Sequence, residues 1–256
     1  MRRFFTALLL CIGLFVSEGI DAAQLHLVMV GDTASADIGK TVHPDLMHMH
    51  DTFSDIAEKL AIPLHEKLFF GAQVNFHEFF EEIAALEIES DDLVIFFFSG
   101  HGVRSAGKAE SNPWPDLYFS LEKRGIDFLT VIDQFREKKP RLLLAIVDSC
   151  NDYLPTWHQP AKKRMRYYAA RSVALPVINA HWLFMQPAGE ILIAAASPAE
   201  KAWASRQSGG IFTSAFVFEL SRALASAPLP DWGQILVDAS VWVSDKQTPF
   251  YILDIR

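Results

Sequence analysis

Cys150 is the residue of this chain that is best suited to nucleophilic chemistry. It stands three residues beyond an apolar run at residues 142–147, which is typical of a buried strand that delivers a thiol to its exit edge. His101 stands at the same distance beyond a second apolar run, at residues 93–98. Two strands that each present one half of a cysteine–histidine pair predict a thiol nucleophile with its base.

The residues around this pair fit the needs of such chemistry. A thiol attacks as a thiolate, so it needs a base nearby and N–H donors for the oxyanion that forms. Gly100 and Gly102 flank His101 and let the backbone approach a substrate closely. The backbone N–H groups of Gly102 and Cys150 are the candidate oxyanion donors. The alternative is a structural cysteine in the core and a histidine with ordinary packing partners.

Composition indicates a single globular domain and argues against one class of partner. The chain has 256 residues, of which half are hydrophobic and 20 are phenylalanine, enough to bury a large core. The formal net charge is −8, which disfavours nucleic acid as a general partner. Residues 23–256 are therefore predicted to form one domain.

The N-terminus has the pattern of an export signal. Two arginines precede an apolar stretch at residues 4–16, which is short for a membrane span, and a small-residue end follows. We predict a signal peptide at residues 1–22, an exported protein in the periplasm or beyond, and no stable membrane association after cleavage; a retained anchor is the alternative. Removal of Cys11 would leave Cys150 as the single thiol.

Strand and helix patterns alternate along the rest of the chain. The predicted strands cover residues 25–30, 64–70, 93–98, 142–147, 190–196 and 250–255, with a hairpin or edge piece at 117–121. The predicted helices cover residues 44–60, 76–86, 128–135, 212–225 and 232–243. Residues 151–187 are predicted to be a long loop with a helix near 161–172. This alternation predicts an α/β fold with a mostly parallel six-stranded sheet and helices on both faces.

The chain resembles the caspase–metacaspase family of cysteine peptidases. The resemblance rests on Ser99-Gly100-His101-Gly102 and Asp148-Ser149-Cys150, and it continues through residues 190–213 and 247–250. It implies a three-layer caspase-like sandwich and a protein or peptide substrate. It further implies that Cys150 is the nucleophile, His101 the general acid and base, and Gly102 part of the oxyanion hole, with no obligatory third carboxylate.

The same resemblance suggests a specificity pocket. Asp51, Ser99 and Asp148 match the residues that line the primary pocket of metacaspases, which select arginine or lysine. Two carboxylates in a partly dry pocket favour a basic side chain and reject aspartate. Arg206 is the residue that would instead suit a caspase-like preference for aspartate. The alternatives are a solvated helix-face position for Asp51 and a turn-capping role for Asp148.

Other features leave alternatives open. The residues after the nucleophile, Asn151 and Asp152, depart from the family pattern, so an inactive binding or regulatory module is the second hypothesis, and a different acyl-transfer enzyme is the third.

The basic segment with Lys163, Arg164 and Arg166 lies where family members carry a processing linker, which suggests self-cleavage; a solvated basic face is the alternative. No cofactor or bound metal is expected: calcium activation occurs in several metacaspases, but no ligands are matched here. The oligomeric state is not predicted.

Overall fold

The computed structural model describes residues 23–71, 75–153 and 176–256. The strands are β1 (Leu25–Gly31), β2 (Leu64–Phe70), β3 (Leu93–Ser99), β4 (His101–Val103), β5 (Asp116–Phe119), β6 (Arg124–Asp127), β7 (Leu142–Asp148), β8 (Gly189–Ala194), β9 (Ala204–Ser205), β10 (Gly209–Gly210) and β11 (Phe250–Ile255). The helices are α1 (Gly39–Leu60), α2 (Phe76–Ala85), α3 (Phe128–Arg136), α4 (Val177–Phe184), α5 (Ile211–Leu224) and α6 (Trp232–Val243). The predicted signal peptide at residues 1–22 lies outside the described residues and stays a prediction.

A six-stranded sheet forms the centre of the domain, in the order β11-β8-β7-β3-β1-β2. The strands β2, β1, β3, β7 and β8 run parallel to one another, and β11 pairs with β8 in the antiparallel direction. Every residue of β1, β3 and β7 is buried, as the continuous apolar runs predict for strands covered on both faces. The predicted mostly parallel six-stranded sheet is confirmed.

Helices cover both faces of this sheet, which gives the three predicted layers. On one face α1, α4, α5 and α6 pack around residues such as Met29, Phe97 and Ile146. On the other face α2 and α3 pack around the alternate residues of the same strands, such as Phe96. Apolar side chains therefore fill the space on both sides of β3 and β7, and this packing fixes the two strand ends relative to each other.

The first helix begins earlier than the sequence pattern predicts. Pro44 was expected in the first turn, but α1 starts at Gly39 and contains Pro44 in its second turn. Two backbone hydrogen bonds stabilise the first turn of α1, before Pro44. The Gly39 N–H donates to the Ser35 carbonyl at 3.0 Å, and the Val42 N–H donates to the Ile38 carbonyl at 3.1 Å. A proline this close to a helix start removes few intrahelical hydrogen bonds.

The predicted loop at residues 151–187 contains a helix that the sequence analysis did not assign. Helix α4 occupies its last part, and the Asn179 side chain joins it to the end of α5 by donating to the Leu224 carbonyl at 3.0 Å. Its apolar residues face both the solvent and the core: Ile178 is 66% exposed, while Leu183 is buried. A short helix with this mixed pattern lacks the periodicity by which helices are recognised in a sequence.

Two small sheets lie beyond the carboxyl ends of the central strands. Strands β4, β5 and β6 form an antiparallel sheet, which agrees with the hairpin predicted near residues 117–121, and β9 and β10 form a short hairpin. Both sheets follow a central strand, so their residues come to the edge where β3 and β7 end. None of the helices in the described parts of the chain is both long and apolar enough to cross a membrane.

Candidate active site

The catalytic candidates lie where β3 and β7 leave the sheet. The two strands are parallel and adjacent, and their last paired residues are Ser99 and Asp148. Beyond that pair the chains stay together, since the Arg104 N–H donates to the Asp152 carbonyl at 2.9 Å. His101 and Cys150 are each two residues beyond Ser99 and Asp148, so the structure brings the predicted pair to equivalent positions of neighbouring strand extensions.

Gly102 allows these two extensions to approach closely. A Cβ atom at this position would overlap the carbonyl oxygen of Cys150 and the side chain of Ser149. Only glycine therefore fits here, and the backbone of the predicted oxyanion donor lies directly against the nucleophile's own residue. This arrangement agrees with the expectation that Gly102 belongs to the site, although its role as a donor stays a prediction.

The surroundings of the Cys150 thiol favour its protonated form. Its Sγ donates to the Ala202 carbonyl oxygen at 3.8 Å. Burial raises the pKa of the Cys150 thiol above its usual value, and the negative charges of Asp148 and Asp152 act in the same direction, against the Ala202 hydrogen bond and Lys201. A thiol in this state does not ionise by itself near neutral pH, so it needs a neighbouring base to remove its proton.

The imidazole of His101 contacts the segment that joins β1 to α1. Its Nε2 is 3.0 Å from Oδ1 of Asp37, and 11% of the His101 side chain is exposed. A second carboxylate of the same segment, Asp32, is buried and packs against Gly100. The sequence analysis assigned neither aspartate to the site, because both come from a loop that has no recognisable motif.

The predicted pocket residues Ser99 and Asp148 are brought together with a third residue, Asp45. Ser99 Oγ donates to Oδ2 of Asp45 at 2.7 Å, and the Gly210 N–H donates to its Oδ1 at 2.7 Å. The Thr213 N–H and Oγ1 donate to Oδ2 of Asp148 at 2.9 and 2.6 Å. Two buried carboxylates thus lie side by side under the start of α5, each with hydrogen-bond donors.

These two carboxylates disturb each other's ionisation. Burial raises the pKa of Asp45 well above its usual value, and the neighbouring negative charge of Asp148 raises it further. Burial also raises the pKa of Asp148, against the hydrogen bonds from Thr213. Two like charges in a dry site cannot both ionise cheaply, so the pair holds a proton or awaits a cation.

The structure does not bring Asp51 into this group, which corrects the sequence assignment. Its side chain is 74% exposed and its Oδ1 lies 3.5 Å from Nδ1 of the neighbouring His50. Asp45 and Asp51 are six residues apart on α1, which turns them to different faces of the helix. Asp45 is therefore the aspartate of α1 that lies beside Ser99 and Asp148, six residues before the position chosen from the sequence, and the specificity pocket itself stays a prediction.

Arg206, the residue that would suit aspartate recognition, lies at the exposed tip of the β9–β10 hairpin. After the hairpin turn the chain continues into Gly209 and Gly210. The backbone of Gly209 packs against the Asp45 carboxylate and that of Gly210 against the Asp148 carboxylate, so closely that a Cβ atom on either glycine would overlap the carboxylate. The strand that follows the hairpin turn is thus fitted to the carboxylates, while the arginine points away from the packed part of the domain.

Asn151, where the sequence departs from the family pattern, is a buried anchor. Its side-chain N–H donates to the Pro113 carbonyl at 2.7 Å, and its backbone exchanges hydrogen bonds of 2.8 Å with Glu200 and Ala199. These bonds fix the turn that follows Cys150 to the β8–β9 connection. Asn151 therefore holds the loop that follows the nucleophile in place through its own buried contacts.

Metal binding and self-cleavage remain without a structural counterpart. Within residues 23–71, 75–153 and 176–256, no group of three or more His, Cys, Asp or Glu side chains is arranged to hold a metal ion. The candidate cleavage residues Lys163, Arg164 and Arg166, and the helix predicted near residues 161–172, lie outside the described residues. Self-cleavage stays a prediction, as does the expectation that no metal or other cofactor is required.

Comparison with known proteins identifies the family. Residues 43–253 match the family model Peptidase_C14, described as "Caspase domain". The match spans most of the chain, so the protein belongs to the caspase domain family, and its fold is that of a cysteine peptidase. Among solved structures it is similar to caspase-1 from Spodoptera frugiperda, with 16% identity, a TM-score of 0.53, and coverage of 90% of this chain and 85% of that chain. No curated protein matches the sequence.

Proposed function

We propose that this protein is a cysteine endopeptidase that cleaves after arginine or lysine through a Cys150–His101 dyad. The observation that carries the proposal is the placement of both residues just beyond the paired ends of β3 and β7. The protonated state of the buried thiol supports a base-assisted attack, because such a thiol is inert until a base accepts its proton. The family supplies the class of substrate, a protein or peptide.

The proposed reaction has two stages with a thioester between them. His101 takes the thiol proton as Sγ of Cys150 bonds to the scissile carbonyl carbon, and the carbonyl oxygen becomes an oxyanion held by the N–H groups of Gly102 and Cys150. The imidazolium then protonates the leaving amine as the C–N bond breaks. In the second stage His101 takes a proton from water, the hydroxide attacks the thioester, and the thiol is regenerated with release of a carboxylic acid.

The carboxylate pair supports a preference for a basic side chain before the scissile bond. Asp45 and Asp148 are buried together, and their mutual repulsion is relieved by a guanidinium or an ammonium group. An aspartate side chain would bring a further negative charge to the same dry site, so the pocket discriminates against it as well as favouring arginine.

A panel of fluorogenic peptides tests this proposal. Peptides that differ only in a final Arg, Lys, Asp or Asn are offered to the protein with and without calcium, and initial rates are measured. We expect cleavage after Arg and Lys to exceed cleavage after Asp by roughly 100-fold, since charge-assisted hydrogen bonds are worth about 1.5–3 kcal/mol each and the wrong charge is repelled. Faster cleavage after Asp than after Arg would contradict the pocket, and no thiol-dependent cleavage of any peptide would favour the inactive binding module.

Self-cleavage within residues 154–175 is a second expected outcome. A peptidase specific for basic residues would cut its own segment at Lys163, Arg164 or Arg166, so purified protein should separate into two fragments on a denaturing gel. The Cys150→Ala variant should stay a single band, and substitution of the three basic residues with glutamine should prevent the cut without reducing cleavage of added peptides. If active wild-type protein also stays a single band, self-processing is absent.

A further inference from the structure

We propose that Asp37 is a positioning residue for His101, so that the proposed dyad works as a Cys150–His101–Asp37 triad. This inference rests on the proposed function of the dyad and adds a residue that no family motif pointed to. The contact that carries it joins Nε2 of His101 to Oδ1 of Asp37 at 3.0 Å. Its consequence is a defined proton arrangement on the imidazole.

The contact selects one tautomer of the ring. An ionised carboxylate can only accept hydrogen bonds, so Nε2 must carry the proton that lies between the two groups. The neutral ring then keeps its lone pair on Nδ1, and Nδ1 is the nitrogen that accepts the thiol proton. When this proton arrives, the adjacent carboxylate stabilises the imidazolium, as the carboxylate of a serine-protease triad does.

Asp37 is itself held in place by its own loop. Oδ1 accepts hydrogen bonds from Ser35 Oγ at 2.6 Å and from the Ile38 N–H at 3.0 Å. Partial burial raises the pKa of Asp37, but the hydrogen bonds from Ser35 and His101 and the charge of His101 outweigh this effect and lower it, so the carboxylate is charged near neutral pH. The loop therefore presents a fixed anion to the ring.

Asp32 is a poorer candidate for the same role. It is buried, Ser120 Oγ donates to its carboxylate, and burial raises its pKa. His101 acts on Asp32 through the attraction of opposite charges, whereas its Nε2 lies within hydrogen-bond distance of Asp37. Among the described residues, the charged groups that act on the ring or the thiol include Asp32, Asp37, Asp148, Asp152 and Lys201.

Two substitutions separate charge from orientation. Asp37→Asn removes the charge but keeps an oxygen that can accept from Ser35, Ile38 and His101, whereas Asp37→Ala removes both. We expect kcat for an arginine peptide to fall about 10-fold in Asp37→Asn and about 100-fold in Asp37→Ala, with KM unchanged. These losses are smaller than the roughly 10⁴-fold loss caused by a buried triad aspartate, because 45% of the Asp37 side chain is exposed. Asp37→Glu should recover part of the activity, and the exposed Asp55→Asn serves as the matched control on α1.

A double-variant cycle decides whether Asp37 acts through His101. In a His101→Ala background, Asp37→Ala should cause no further loss, since its only route to the reaction is gone. An undiminished additional loss in that background would overturn the proposal, as would full activity of Asp37→Ala in the wild-type background. Melting curves of each variant confirm that the fold is retained; Asp37→Glu, which keeps the loop's acceptor, decides the question if Asp37→Ala is unfolded.

Alkylation of Cys150 provides a readout that needs no substrate. Iodoacetamide reacts with the thiolate, so its rate near neutral pH reports proton transfer from the thiol to His101. Asp37→Ala and His101→Ala should both slow alkylation by about 10-fold near neutral pH, and at alkaline pH, where hydroxide removes the proton, both should match the wild type. If no peptide is cleaved at all, the proposed function fails while this measurement still decides the role of Asp37: equal alkylation of wild type and Asp37→Ala near neutral pH would overturn it.

Discussion

Cys150→Ala is expected to abolish peptide cleavage, and His101→Ala is expected to reduce it by roughly 10⁴-fold or more. The first variant lacks the atom that forms the thioester, and the second lacks the base that a buried, protonated thiol requires. Initial rates with an arginine peptide measure both losses. Because residues of one catalytic unit are not additive, the double variant should be no worse than Cys150→Ala alone.

The control for the histidine is His77→Ala. The His77 side chain is 84% exposed on α2, so its removal changes the histidine content without touching the strand ends. His77→Ala should keep the melting temperature of the wild type within a few degrees, since substitution of an exposed side chain costs little stability, and melting curves of the Cys150 and His101 variants check that their fold is retained. Retention of more than a tenth of the activity by Cys150→Ala would show that the measured cleavage comes from another nucleophile or a contaminant.

Asp45→Asn is expected to lower kcat/KM for arginine peptides by roughly 100-fold while stabilising the free protein. The loss follows from removal of one of the two carboxylates that would receive the basic side chain. The gain follows from the burial of Asp45 beside Asp148, where like charges oppose each other. We expect a rise in melting temperature of about 2–4 °C near neutral pH, which corresponds to ~1 kcal/mol for a chain of this length.

The gain in stability should depend on pH in a definite direction. The pKa of Asp45 is raised in the folded state from its usual value of 3.8, so the folded protein holds more protons than the unfolded chain between those two values. Wild-type stability therefore falls as the pH rises through this range, and Asp45→Asn should show a smaller decline, since only the raised pKa of Asp148 then contributes to it. Thermal melts across acidic and neutral pH measure it, and equal slopes for both proteins would contradict the buried carboxylate pair.

Asp51→Asn distinguishes the two positions that could supply the pocket acid. Asp51 is exposed beside His50, so its substitution should leave the preference for arginine intact. A large loss of arginine cleavage in Asp51→Asn, together with normal cleavage by Asp45→Asn, would restore the assignment made from the sequence. Both variants carry the same Asp→Asn substitution on the same helix, and they differ only in its position. Each variant is therefore a control for the other.

The central fold could be predicted because its strands carry a strong local signal. Runs such as residues 93–98 and 142–147 are continuously apolar, and a parallel sheet covered on both faces requires that pattern. Helix α4 escaped because it is short and its apolar residues face both the core and the solvent. The start of α1 was misplaced because Pro44 has the signature of a first turn, although the helix accommodates it one turn later.

The candidate site was predictable only where its residues follow a strand directly. His101, Cys150, Ser99 and Asp148 extend β3 and β7, so their proximity follows from parallel pairing. Asp37 comes from a connecting loop, and its contact with His101 depends on how that loop folds against a distant strand end. Asp45 was missed because an aspartate has no signal that separates a buried helix position from an exposed one, and only packing against Gly210 makes the difference.

The hydrogen bond between Asp45 and Gly210 spans 165 residues of sequence, which sets when the proposed peptidase could first become active. A chain that has been synthesised or folded only as far as Cys150 carries the thiol and the imidazole, but its carboxylate pair has no cover. Contacts between residues this far apart in sequence form late, because the entropy cost of closing the intervening loop comes before the contact can stabilise the chain. Cleavage competence would thus arise only with the completed domain, which protects a newly made chain, and its neighbours, from premature proteolysis.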